Sequence, residues 1–158
     1  MPVLVSPWLS IHVSLIMMSY ALLAFIMLNG ILALCLRKKE SENNVSGNDA
    51  VQDNRIEQLT LVSRLLLYPA TFFLGAGIFL GAVWANVSWG RYWAWDPKEV
   101  WALITFLVYG AAFHSQSLRI FRKPLFFHIY MILAFLTVLM TYFGVNYVLG
   151  GMHSYANS

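Results

Sequence analysis

Four histidines and one aromatic cluster hold most of the chemistry this sequence can offer. The stretch from Trp89 to Glu99, WGRYWAWDPKE, packs Trp89, Tyr92, Trp93 and Trp95 into seven residues. His12 precedes it in the chain and His153 follows it. Two imidazoles on either side of a flat, apolar, aromatic plane suit bis-histidine ligation of a haem iron. Imidazole is a good iron ligand, and the faces of Trp and Tyr suit a porphyrin edge. The competing reading is an interfacial belt, in which Trp, Tyr and His only anchor helices at the lipid headgroups. Most of the six tryptophans crowd into 84–101, which a two-sided belt would not do. On residues alone the two readings stand level.

The remaining polar residues divide in the same way. His114 lies about five residues, or about 7–8 Å, inside the apolar run that Arg119 closes. An ionisable residue at that depth is a functional candidate. It can ligate a second haem, carry protons or hydrogen-bond a carbonyl of a neighbouring helix. His128 sits at similar depth on the next helix, and its expected role is interfacial. Cys35 is the sole cysteine, so no internal disulfide forms, and its expected role is packing. Asp96 and Glu99 can be read as an acid/base pair, but a helix cap explains both more cheaply. Asp96 is the cap, Pro97 the first helical residue, and Glu99 reaches back. Arg91 and Lys98 are either solvated interfacial charges or partners for the two carboxylates of a haem. Asn86 and Asn146 are placed to bridge helices.

The elements that must position these residues are membrane helices. Hydrophobic residues make up 59% of the 158 and charged residues 11%, with a mean hydropathy of +0.65. A core this small cannot hide that much apolar surface, so lipid is the expected solvent. Nothing points to nucleic acid, and without a CxxCH the chain is not itself a c-type cytochrome. The fold class is all-α, a polytopic bundle of four transmembrane helices within a single membrane domain, 1–158. The expected helices are 7–36, 65–87, 97–118 and 125–149. A polar loop, 37–64, joins the first two, and an external loop, 88–99, precedes the third. Residues 40–58 read as loop without a packed core. Eight of the ten Lys and Arg fall at 37, 38, 39, 55, 64, 119, 122 and 123. The positive-inside rule makes that side cytoplasmic. Both termini, His12, the aromatic loop and His153 then face outward.

The motif W-G-x-x-W-x-W-D-P-K-E, with a following helix that ends in FHSQ, resembles the WWD domain of the CcsA/ResC family of cytochrome c biogenesis proteins. The head SIHVSLIMMSYALL and the tail FGVNYVLGGMHSY also resemble that family. The WWD element alone is shared with the haem-handling CcmC and CcmF families, and the head and tail select CcsA. The resemblance covers nearly the whole chain except 40–58.

The resemblance implies a role in system II cytochrome c maturation in the bacterial inner membrane, with the haem site facing the periplasm or outside. It implies that His12 and His153 are axial ligands to an external haem b, bound non-covalently. Trp89, Trp93 and Trp95 would line its edge. His114 would ligate haem in transit, with a companion histidine from a CcsB/ResB-type membrane partner or fused segment. The substrate protein would be apocytochrome c with its CxxCH, and the complex would act as a cytochrome c synthase, or haem lyase, forming thioether bonds. Family members usually carry further helices upstream, so this chain is expected to be the last segment of a larger fusion, a split gene or a truncated gene model, and is not expected to transport haem alone. Two other classes remain as alternatives. A bis-histidine electron-transfer subunit of a quinol-linked membrane complex usually carries two haem-ligating histidines on one helix, and no helix here does. A structural membrane subunit would purify colourless.

Overall fold

Apolar residues surround the first helix on every side, as lipid contact requires. In the computed structural model, which describes residues 7–42, 49–114 and 117–149, it is α1, Pro7–Glu42. Helix α2, Asp49–Trp89, returns antiparallel against it along most of its length. Helix α3, Pro97–Ala111, is short. A single tight turn at Arg119–Arg122 leads into α4, Pro124–Leu139, which continues to Leu149 with a wider winding. Helix α4 packs on α1 and, less extensively, on α2, while α3 bridges α2 and α4.

The described residues are helix and turn without strands. Helices α1, α2 and α4 are long and apolar enough to cross a membrane, over Pro7–Lys38, Asp53–Trp89 and Pro124–Val145. Large apolar side chains lie outward along them, with Phe72 and Phe79 each 69% exposed. The inner faces meet in a core of Leu23, Ile26, Leu67, Tyr109, Phe127 and Met131. This is a multi-pass membrane architecture.

Three boundaries differ from the expected ones. The third helix, expected over 97–118, ends at Ala111. Its 15 residues rise roughly 22 Å, short of a hydrocarbon core of about 30 Å. The N–H groups of Ala112, Phe113 and His114 bond three residues back, so the chain tightens and leaves the α-helical path. The loop expected at 37–64 is helical to Glu42, as the end of α1, and again from Asp49 onward. Ile56, Thr60, Ser63 and Leu67 recur every three or four residues and are all buried, so tertiary packing of one stripe overrides the polarity of the segment. The fourth helix, expected as one element over 125–149, changes its winding at Met140.

Polar groups inside the bundle pin its helices. The Ser19 hydroxyl donates to the Ala70 carbonyl at 2.8 Å, beside Pro69 within α2. The Asn29 amide donates to the Ser63 hydroxyl at 3.3 Å. Arg64 donates to the Phe121 carbonyl, and its guanidinium lies 4.9 Å from the Phe127 ring centroid. With little water at that depth, each such bond serves a group that would otherwise go unsatisfied.

Candidate functional site

The aromatic loop is held by its own acidic residues. Helix α2 ends at Trp89, where the Gly90 N–H donates to the Asn86 carbonyl at 2.9 Å and Gly90 turns the chain with φ of +71°. Trp95 has φ of +58°, a conformation that L side chains rarely adopt. The backbone on both sides of it is clamped by one carboxylate. Glu99 Oε2 accepts from the Ala94 N–H at 2.8 Å and from the Asp96 N–H at 3.3 Å. Asp96 Oδ1 accepts from the Lys98 N–H at 3.0 Å, so the capping box expected at Asp96 and Glu99 is present, with Pro97 in the first turn.

The loop closes over a cavity of about 100 Å³ at the end of the bundle where α1 begins. His12 lies on one wall, and Trp93, Tyr92 and Trp84 on others. His12 Nδ1 is 2.7 Å from the Gly77 carbonyl. A carbonyl can only accept, so the ring proton sits on Nδ1, and in the neutral ring the lone pair is on Nε2. This backbone bond orients the imidazole as the outer partners of metal-binding histidines do. The close approach depends on Gly81. A Cβ there would lie 2.7 Å from His12 Cε1 and 2.9 Å from Nδ1, so any side chain would displace the ring.

The profile of the cytochrome c assembly protein family matches residues 1–153. The chain belongs to that family. It is 41% identical over 155 residues to the protein NrfI of Wolinella succinogenes, a match that covers 98% of this chain and 17% of NrfI. It is 40% identical over 156 residues to the cytochrome c biogenesis protein CcsA of Chlamydomonas reinhardtii, covering 98% of this chain and 42% of that protein. The CcsA of Pyropia yezoensis is 36% identical over 190 residues, with 98% and 59% covered. The chain thus spans less than two thirds of the length of these relatives. Within the family it is CcsA-type.

The family's candidate site residues separate in space. His12 and Trp93 share the cavity. Trp89 stands one ring back, edge-on to Trp84 at 5.0 Å between centroids. Trp95 is 74% exposed and meets Trp93 edge-on at 6.0 Å. His114 is far from this group, exposed just beyond the other end of α3. His153 lies outside the described residues. Sequence reasoning overlooked Tyr20 and Thr141 on the cavity wall. A single hydroxyl within an apolar run carries no signal that it faces a cavity.

His128 proves to be a structural pin. It is 1% exposed, with Nε2 2.9 Å from Thr60 Oγ1. Thr60 already donates to the Ile56 carbonyl at 2.7 Å, so its oxygen accepts and His128 Nε2–H donates. The interfacial role expected for His128 is thereby replaced by a buried link between α2 and α4.

The donor set of the cavity fits an iron porphyrin. Its lining includes an imidazole, indole faces and, at Lys98, a cation. Lys98 lies ahead of the apolar run that begins at Val100. Pockets for cofactor-sized ligands run to roughly 300–1,000 Å³, so this half-open space takes part of a macrocycle and leaves the rest outside it.

Proposed function

We propose that this chain binds haem at the outer face of the bacterial inner membrane and presents it for covalent attachment to apocytochrome c. His12 and His153 hold the iron from opposite sides as axial ligands. Trp93 contacts the porphyrin from within the cavity, with Trp89 behind and Trp95 at the exposed rim. The observation that carries this reading is the shared cavity of His12 and Trp93, with the imidazole oriented by the Gly77 carbonyl. His114 ligates haem in transit, together with a histidine of a CcsB/ResB-type partner. The chain crosses the membrane four times, with α3 as the short span and both termini outside.

The chain's own contribution is position and ligation. Haem, the substrate here, supplies two vinyl groups. Each cysteine thiol of the apocytochrome CxxCH adds its S–H across one vinyl C=C, forming a thioether bond. Holding the substrate by its iron and one edge leaves the reacting edge open to the incoming peptide.

The test is the absorption spectrum of the complex purified with its natural partner. His12→Ala and His153→Ala should each abolish the bis-histidine haem bands. An unchanged spectrum in either variant would remove that residue from the site.

A further inference from the structure

The three long apolar helices end together at the side of the bundle away from the aromatic loop. The apolar stretch of α1 stops at Lys38, that of α2 starts at Asp53 and that of α4 starts at Pro124. Between these ends lies a half-open cleft of about 500 Å³, lined by Arg37, Asp53, Ile56, Glu57 and Pro124. Its place at the ends of three spans puts it at the depth of the lipid headgroups. Ile56 is the buried member of the lining, and one helical turn further along α2 the bond between Thr60 and His128 ties that helix to α4. The cleft is thus backed by a fixed joint between helices.

The charges around the cleft oppose one another across it. Asp53 and Glu57 stand four residues apart on α2, so the two carboxylates share a face and repel. Arg37 lines the same space from α1. Among the described residues these three make no ion pair with one another, so both signs of charge border one open volume. A simple anion there meets Asp53 and Glu57, and a simple cation meets Arg37. A group that carries an anion and a cation side by side satisfies both walls. We propose that this cleft holds the headgroup of a zwitterionic aminophospholipid such as phosphatidylethanolamine. Its phosphate lies at Arg37 and its ammonium at Asp53 and Glu57. A guanidinium can meet a phosphate through two parallel N–H bonds, and a primary ammonium brings three donors to the two carboxylates. Headgroup depth favours a lipid over a soluble zwitterion, because the acyl chains then continue along the apolar helix faces.

The test counts bound lipid by native mass spectrometry. The complex, purified with its natural partner and stripped of lipid in detergent, is titrated with dioleoyl-phosphatidylethanolamine, -phosphatidylcholine or -phosphatidylglycerol. Phosphatidylcholine keeps both charges, but its quaternary ammonium has no N–H to donate, and phosphatidylglycerol has no cation. The unaltered chain should hold phosphatidylethanolamine about ten-fold more tightly than either. Arg37→Gln should remove that preference. The double variant Asp53→Asn/Glu57→Gln should remove it too, and should strengthen phosphatidylglycerol binding. Arg55→Gln, which alters an exposed cation of α2 outside the lining, should keep it. All four side chains are exposed, so the helices do not need them in order to fold. Lipid held by the partner is common to every variant and drops out of the comparison between them. Equal binding of phosphatidylethanolamine and phosphatidylcholine by the unaltered chain overturns the proposal, as does tighter binding of phosphatidylglycerol. A full preference in Arg37→Gln or in the double variant overturns it as well. Displacement of the lipid by an equal concentration of free glycerophosphoethanolamine would make the ligand a soluble zwitterion and overturn the assignment to a lipid.

Discussion

Gly81 is as necessary to the cavity as the histidine it faces. A methyl group there would overlap the His12 ring, so Gly81→Ala should displace the imidazole from its seat on α2. Overpacking of this kind costs about 1–3 kcal/mol. Haem retention by the purified complex should then fall by roughly ten-fold or more, approaching His12→Ala. Retention equal to that of the unaltered chain would mean that the ring can shift without cost. The buried pair at the other end of the molecule behaves differently. Thr60→Val removes the acceptor of His128 Nε2–H and should destabilise the helical bundle by about 1 kcal/mol. A lowered midpoint of thermal unfolding in detergent, with unchanged haem absorption, is the expected pattern. Loss of haem bands in Thr60→Val would instead tie His128 to the binding site.

The aromatic loop owes its shape to the first turn of α3. Asp96, Pro97 and Glu99 announce a helix start in the sequence, and that part of the site is legible without coordinates. The capping box does not announce that Glu99 also bonds the Ala94 N–H and so brackets Trp95 in its left-handed conformation. Glu99→Ala should release both N–H groups and let Trp95 relax, at a cost of about 1 kcal/mol at the cap. Faster proteolysis between 90 and 96 and altered tryptophan fluorescence are the expected readouts. Glu99→Gln keeps an acceptor oxygen and should be milder. Equal protease resistance in Glu99→Ala and the unaltered chain would show that the loop is held by other contacts.

At the scale of the molecule, the bundle brings the start of α1, the end of α2, the loop and the first turn of α3 to one end, and His114 to the other. The basic residues gather at the His114 end, and the proposed sidedness puts that end inside. After Cys35→Ala, a cysteine at Tyr92 should react with a membrane-impermeant maleimide in intact cells. A cysteine at Ser117 should react only after permeabilisation. Labelling of Ser117→Cys in intact cells would break the four-span arrangement, with α3 as the first segment to reconsider because of its length.

Composition and hydropathy by themselves determined the solvent of this chain, because 59% apolar residues cannot be buried in 158. Local spacing determined the cap of α3, because caps are made by neighbours in sequence. The WWD motif, head and tail pointed to the family, which the match over 1–153 bears out. Only the tertiary structure decided that Trp93, and not Trp95, turns toward His12, because the direction of a side chain in an irregular loop depends on what packs beneath it. It also decided the role of Gly81, the burial of His128 and the helical start at Asp49. Each rests on a contact between residues far apart in the chain, and hydrophobic pattern alone does not say which helix faces meet.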